Sequence, residues 1–104
     1  MTVKEFEVYL PLTFNDGSPV GSDRIEAVGE ALLEFFDGLT FFPQENKGAW
    51  KMGDVTFRDK IVIFRGLSKR GDAARKFLSK LKKKLKREFQ QEEILIVEKD
   101  ARTL

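Results

Sequence analysis

The stretch Asp72–Phe89, DAARKFLSKLKKKLKREF, carries Ala74, Phe77, Leu78, Leu81, Leu85 and Phe89 at spacings of three and four. At about 100° per residue these side chains fall on one stripe, and a helix with one apolar stripe must lie against a core. Arg75, Lys76, Lys80, Lys83, Lys86 and Arg87 fan over the opposite side, and Lys82 and Lys84 flank the stripe. The butylene stems of the flanking pair can cover the stripe's edges while their ammonium groups stay in water. Asp72 is read as the N-cap, a carboxylate at the positive end of the helix dipole, and the cations crowd toward the end that favours them. Such a helix is half of a structure. The rest of the chain has to supply the surface beneath it.

Charge is divided unevenly. Residues 69 to 87 hold ten basic side chains and one acid, Asp72, a net +9. The remainder holds nine basic and sixteen acidic side chains, so a chain of net charge +2 has one strongly positive region and a negative balance elsewhere. At 104 residues it is read as a single domain over 1–104, able to bury one core without staples, with 99–104 a polar tail that frays. The absence of cysteine removes disulfides, thiolate nucleophiles and thiolate metal ligands, and the absence of histidine removes the commonest general base and metal ligand. The reading therefore assigns no cofactor, no metal and no catalytic residue. No apolar run approaches the ~20 residues that cross a bilayer. Glu5 and Glu7 interrupt the N-terminal apolar stretch, which is therefore not read as a signal peptide, and the absence of cysteine fits the expectation of a cytoplasmic protein.

From Lys4 to Phe14 the chain alternates, with Phe6, Val8, Leu10, Leu12 and Phe14 on one side and Glu5, Glu7, Tyr9 and Pro11 on the other, a half-buried strand. Ser22 is expected to cap a helix from Asp23 to about Phe36, ended by Gly38 in the left-handed conformation. Its buried stripe is Ile25, Val28, Leu32 and Phe36, and Glu26, Glu30 and Glu34 line its outer side. Leu39–Phe42 reads as a short strand stopped by Pro43, and Gln44–Gly48 as a polar loop. From Ala49 the pattern is strand, a turn at Gly53-Asp54 and a longer strand whose part Lys60–Phe64 is central in a sheet. Glu93–Glu98 is the last strand. The order β-α-β-β-α-β predicts an α+β ferredoxin-like sandwich, with two helices on one face of a four-stranded antiparallel sheet.

Two surfaces are candidates for function. The basic helix face, Arg75, Lys76, Lys80, Lys83, Lys84, Lys86 and Arg87, is a candidate for partner or phosphate contacts. Its bland explanation is a solvated face that also pairs with the acidic first helix. Lysine predominates, which carries little bidentate base recognition, and no aromatic is interleaved on the polar side. The second surface is the open face of the sheet. With Phe6, Val8 and Leu10 turned toward the helices, Tyr9 faces out. If Ile61 and Ile63 are inside, then Arg58, Lys60, Val62 and Phe64 join it. An apolar face of this sort marks an interface, and homodimerisation through the sheet is the simplest one. Trp50 is either a binding-site aromatic or an anchor of the core or of an interface.

RNA-recognition domains share this element order, but Arg58–Phe64 lacks the glycine and the paired aromatics of their signature strand, so that resemblance is topological. A closer one covers most of the chain. Gly38-Leu39-Thr40, seven residues, then Gly48-Ala49-Trp50 resembles the G-L-T and G-x-W pattern of a group of small uncharacterised bacterial ferredoxin-like proteins. The resemblance implies a fold and no activity. Three expectations follow. The first is a small soluble interaction module, homodimeric through its sheet, with no membrane partner. The second is a non-specific nucleic-acid binder using the basic helix. The third is a small ferredoxin-like enzyme with a pocket near the Trp50 loop.

Overall fold

The computed structural model describes residues 1–104. In chain order it has β1 (Thr2–Pro11), α1 (Ser22–Phe35), β2 (Gly38–Met52), β3 (Val55–Ser68), α2 (Gly71–Glu88) and β4 (Ile96–Arg102). The four strands form one antiparallel sheet in the order β2-β3-β1-β4. The fold is α+β, two helices with a four-stranded antiparallel sheet. No helix is long and apolar enough to cross a membrane.

Alternation decides the faces of β1. Phe6, Val8 and Leu10 are buried and meet Ile25, Val28, Leu32 and Phe36 of the first helix region and Ala74, Leu78, Leu81, Leu85 and Phe89 of the second. Phe35 stacks on Phe77 at 4.7 Å between ring centroids, which joins the two helices near one end. Gly66 lies where an added Cβ would meet the Phe36 ring at 2.7–3.0 Å, so the absence of a side chain lets the helix settle onto the sheet. After α2, Gln90 takes φ 53° while the amides of Gln90 and Gln91 donate to the carbonyls of Arg87 and Lys86. That paired closure ties off the last carbonyls of the helix.

Several sequence expectations are corrected. Val62 and Phe64 are not on the open face: they are 3% and 4% exposed and belong to the core. Ile61 to Phe64 are apolar at both parities, so their pattern has no phase, and pairing supplies it. Leu10 lies opposite Val62 and Val8 opposite Phe64, and directly paired residues share a face. Pro43 does not end β2, and Gln44–Gly48 is not a loop. The strand runs on to Met52 through a register shift between Phe42 and Asn46. A proline is tolerated there because β2 is an edge strand and the irregularity releases its missing donor. Neither helix has a side-chain cap: Gly21 precedes α1, Arg70 precedes α2, and Asp72 instead binds Arg75 at 2.6 Å. Gly38 opens β2, and Phe36, extended, closes α1. The tail is strand through Arg102, because Lys99–Arg102 pairs with Thr2–Glu5.

Candidate functional site

The hairpin of β2 and β3 is longer than the body of the molecule needs. Lys47↔Lys60 through Met52↔Val55 pair beyond the covered part of the sheet, and every residue from Ala49 to Lys60 is exposed. Gly53 at φ 61° makes the two-residue turn at its tip. This arm is amphipathic. Trp50 lies opposite Phe57 and Met52 opposite Val55, all on the side continuous with the open sheet face. They remain 41%, 41%, 52% and 55% exposed in that order. The Trp50 and Phe57 rings stack at 4.7 Å.

At the base of the arm is a cleft of about 350 Å³, walled by Tyr9, Pro11 and Ile61 of the sheet, Trp50 and Asp59 of the arm, and Leu95 before β4. The Trp50 indole N–H donates to Asp59 Oδ2 at 3.3 Å, which fixes the ring across the mouth. The amide of Tyr9 donates to the Leu95 carbonyl at 3.0 Å and holds the far wall. Burial, and next the neighbouring Glu7 carboxylate, raise the Tyr9 phenol above its ordinary value of 10.0. Glu93 also borders the cleft, but its carboxylate binds Lys82 at 2.7 Å and accepts from the Ile94 amide at 2.9 Å. The chemistry on offer is aromatic contact, apolar contact, the Tyr9 hydroxyl, the Gln91 amide and the Asp59 carboxylate. No group of three or more acidic residues is placed to hold a metal.

The other half of the open face is polar and balanced. Lys99 lies 3.1 Å from both Glu5 and Glu7, and Arg65 lies 3.7 Å from Glu5 and 4.0 Å from Glu7. The Arg65 guanidinium also sits over the Phe42 ring at 4.9 Å. Two cations against two half-buried carboxylates is an internally compensated set.

Of the residues singled out in the sequence, the structure brings Tyr9 and Trp50 together at the cleft. It removes Val62 and Phe64 to the core and places Arg58 and Lys60 on the opposite side of the arm. Phe57, Ile61 and Leu95 are the additions. Phe57 was legible as the cross-strand partner of Trp50 once the Gly53-Asp54 turn was fixed. On α2, Arg75 is committed to Glu98 at 2.5 and 2.8 Å, Lys82 to Glu93, and Lys84 lies 3.8 Å from Glu88. The expected pairing with α1 does not occur: no carboxylate of Glu26, Glu30 or Glu34 lies within 4.0 Å of an α2 cation. Lys76, Lys80, Lys83, Lys86 and Arg87 are left without an acidic partner at that distance.

Comparison with family models, with curated proteins and with solved structures finds no match to this chain.

Proposed function

We propose that this chain is an interaction module that acts as a homodimer, joined through the open sheet face and the apolar face of the β2–β3 arm. The observation that carries the reading is the row Trp50, Met52, Val55 and Phe57, four large apolar side chains on one face of one exposed hairpin. Exposed apolar groups gathered in this way mark contact surfaces, and aromatic residues anchor the centre of such contacts. A two-fold pairing would lay the arm of each chain against Tyr9, Ile61 and Leu95 of the other, burying both rows with one set of residues. In the same proposal the fold is ferredoxin-like. β3 separates β1 from β2, and β1 separates β3 from β4, the split βαβ arrangement of that sandwich. Gly38-Leu39-Thr40 at the start of β2 and Gly48-Ala49-Trp50 in the arm support kinship with the small bacterial proteins the chain resembles.

Sedimentation equilibrium tests the reading. The wild-type chain is expected at twice its 12.0 kDa mass, and the double variant Trp50→Glu, Phe57→Glu at the monomer mass. A wild-type monomer at 100 µM (about 5.5 kcal/mol of association) overturns it. A second reading, phosphate binding by α2, is favoured by the five unpartnered cations named above. Replacing Lys83, Lys86 and Arg87 by Glu is expected to abolish salt-sensitive binding to a phosphate polyanion, and unchanged binding overturns this reading.

A further inference from the structure

The side of the arm away from Trp50 and Phe57 has a different composition. Lys47 lies directly opposite Lys60, Ala49 opposite Arg58 and Lys51 opposite Thr56, so Lys47, Lys51, Arg58 and Lys60 share one face. All four are exposed. The one carboxylate within 4.0 Å of any of them is Glu45, 3.8 Å from Lys60. Like charges directly across a ladder destabilise it, so Lys47 against Lys60 costs the hairpin stability, and the long, exposed Glu45 contact offsets only part of that. A polyanion on that face would turn the cost into binding.

We infer that this basic face is a ribbon that contacts the phosphates of double-stranded nucleic acid, a role separate from the dimer contact made by the other face. The dimensions suit it. Seven paired residues from Asn46 to Met52 extend about 20 Å, and a two-stranded ribbon fits a major groove about 12 Å wide. The arm also springs from the end of the molecule where α2 finishes, since Gln91 shares the cleft with Gly48 and Trp50 and the Asn15 side chain binds the Gln90 carbonyl at 3.1 Å. Lys86 and Arg87, in the last turn of α2, stand at that same end.

Segregation of residue types selects the duplex over other anions. Single strands are held by aromatics interleaved with cations, and here the aromatics are on the opposite face of the ribbon. Membrane-surface elements combine cations with apolar side chains that enter the interface, and this face offers Ala49 and Thr56. Three lysines and one arginine position a phosphate backbone and carry little sequence information, so the contact is insensitive to base sequence.

The test is fluorescence anisotropy of the full chain with a labelled 20-base-pair duplex and a length-matched single strand, from 50 to 200 mM salt. The variant to compare is Lys47→Gln, Lys51→Gln, Arg58→Gln, Lys60→Gln. Four phosphate contacts contribute about 3.6 units of salt slope, so wild-type affinity falls at least ~100-fold across that range and the variant loses about 3–4 units. The smaller variant Arg58→Gln, Lys60→Gln is expected to lose half as much, which separates charge from misfolding. Duplex binding by the fourfold variant equal to wild type overturns the inference, as does a wild-type preference for the single strand. Retention only on vesicles containing phosphatidylserine overturns it too. Sedimentation reads the dimer and anisotropy reads the ribbon, so either proposal can fail while the other stands.

Discussion

Gly66 shows how far one residue can constrain this molecule. Its missing side chain is what the Phe36 ring occupies, and that ring is itself held by Phe6, Phe35 and Phe77, with centroids 5.2–6.2 Å away. A methyl group placed 2.7 Å from Phe36 Cγ has no flexible neighbour to displace. Gly66→Ala is expected to cost about 1–3 kcal/mol of stability, read as a lower urea midpoint. Adding Phe36→Leu should recover part of the loss, since the smaller side chain vacates the contested volume. A wild-type midpoint for the single variant would mean that the ring moves freely. The sequence placed a glycine at this position without saying why, because the reason is a ring thirty residues away.

At the scale of elements, the β2–β3 hairpin departs most from its sequence pattern. A proline and a polar run, Pro43 to Lys47, read locally as the end of a strand. The chain nevertheless continues as strand and resumes pairing at Asn46, because β3 runs extended beside it and offers a continuous backbone ladder from Ile61 to Val55, and pairing with a formed neighbour overrides weak local preference. The resulting arm carries a built-in repulsion between Lys47 and Lys60. Lys47→Glu converts that pair to an attractive one and is expected to raise stability by about 0.2–1 kcal/mol, seen as a higher thermal midpoint. An unchanged or lower midpoint would show that solvent already screens the two ammonium groups. Helix α2 was legible almost residue for residue, since its 3.6-residue period is strong and continuous. Its caps were not, because Asp72 had Arg75 within reach as an alternative partner.

The whole molecule is closed by charge as well as by its core. Glu98 on β4 receives two hydrogen bonds from Arg75 on α2, which hold its carboxyl below the ordinary value of 4.5. Asp100 is lowered by Lys4 on β1, and Glu93 by Lys82 on α2. A carboxyl that is more acidic in the folded state stabilises the fold above its unfolded pKa, and that contribution is lost as pH falls through the folded value. Stability is therefore expected to decline as pH drops below about 4.5, with a shallower decline for Glu98→Gln than for wild type, measured by urea midpoints from pH 6 to 2. Parallel declines would leave the Arg75–Glu98 link without energetic weight. Across the molecule, the sequence by itself determined both amphipathic helices, the inward face of β1, the turn at Gly53-Asp54 and the element order. Each of these is written in a local period or a turn residue. Only the tertiary structure decided the face of β3, the length of β2, the start of β4 and the separation of the acidic and basic helix faces. Those depend on which residues stand opposite one another across the sheet, and a segment apolar at both parities, or polar beside a formed strand, takes its phase from its neighbour.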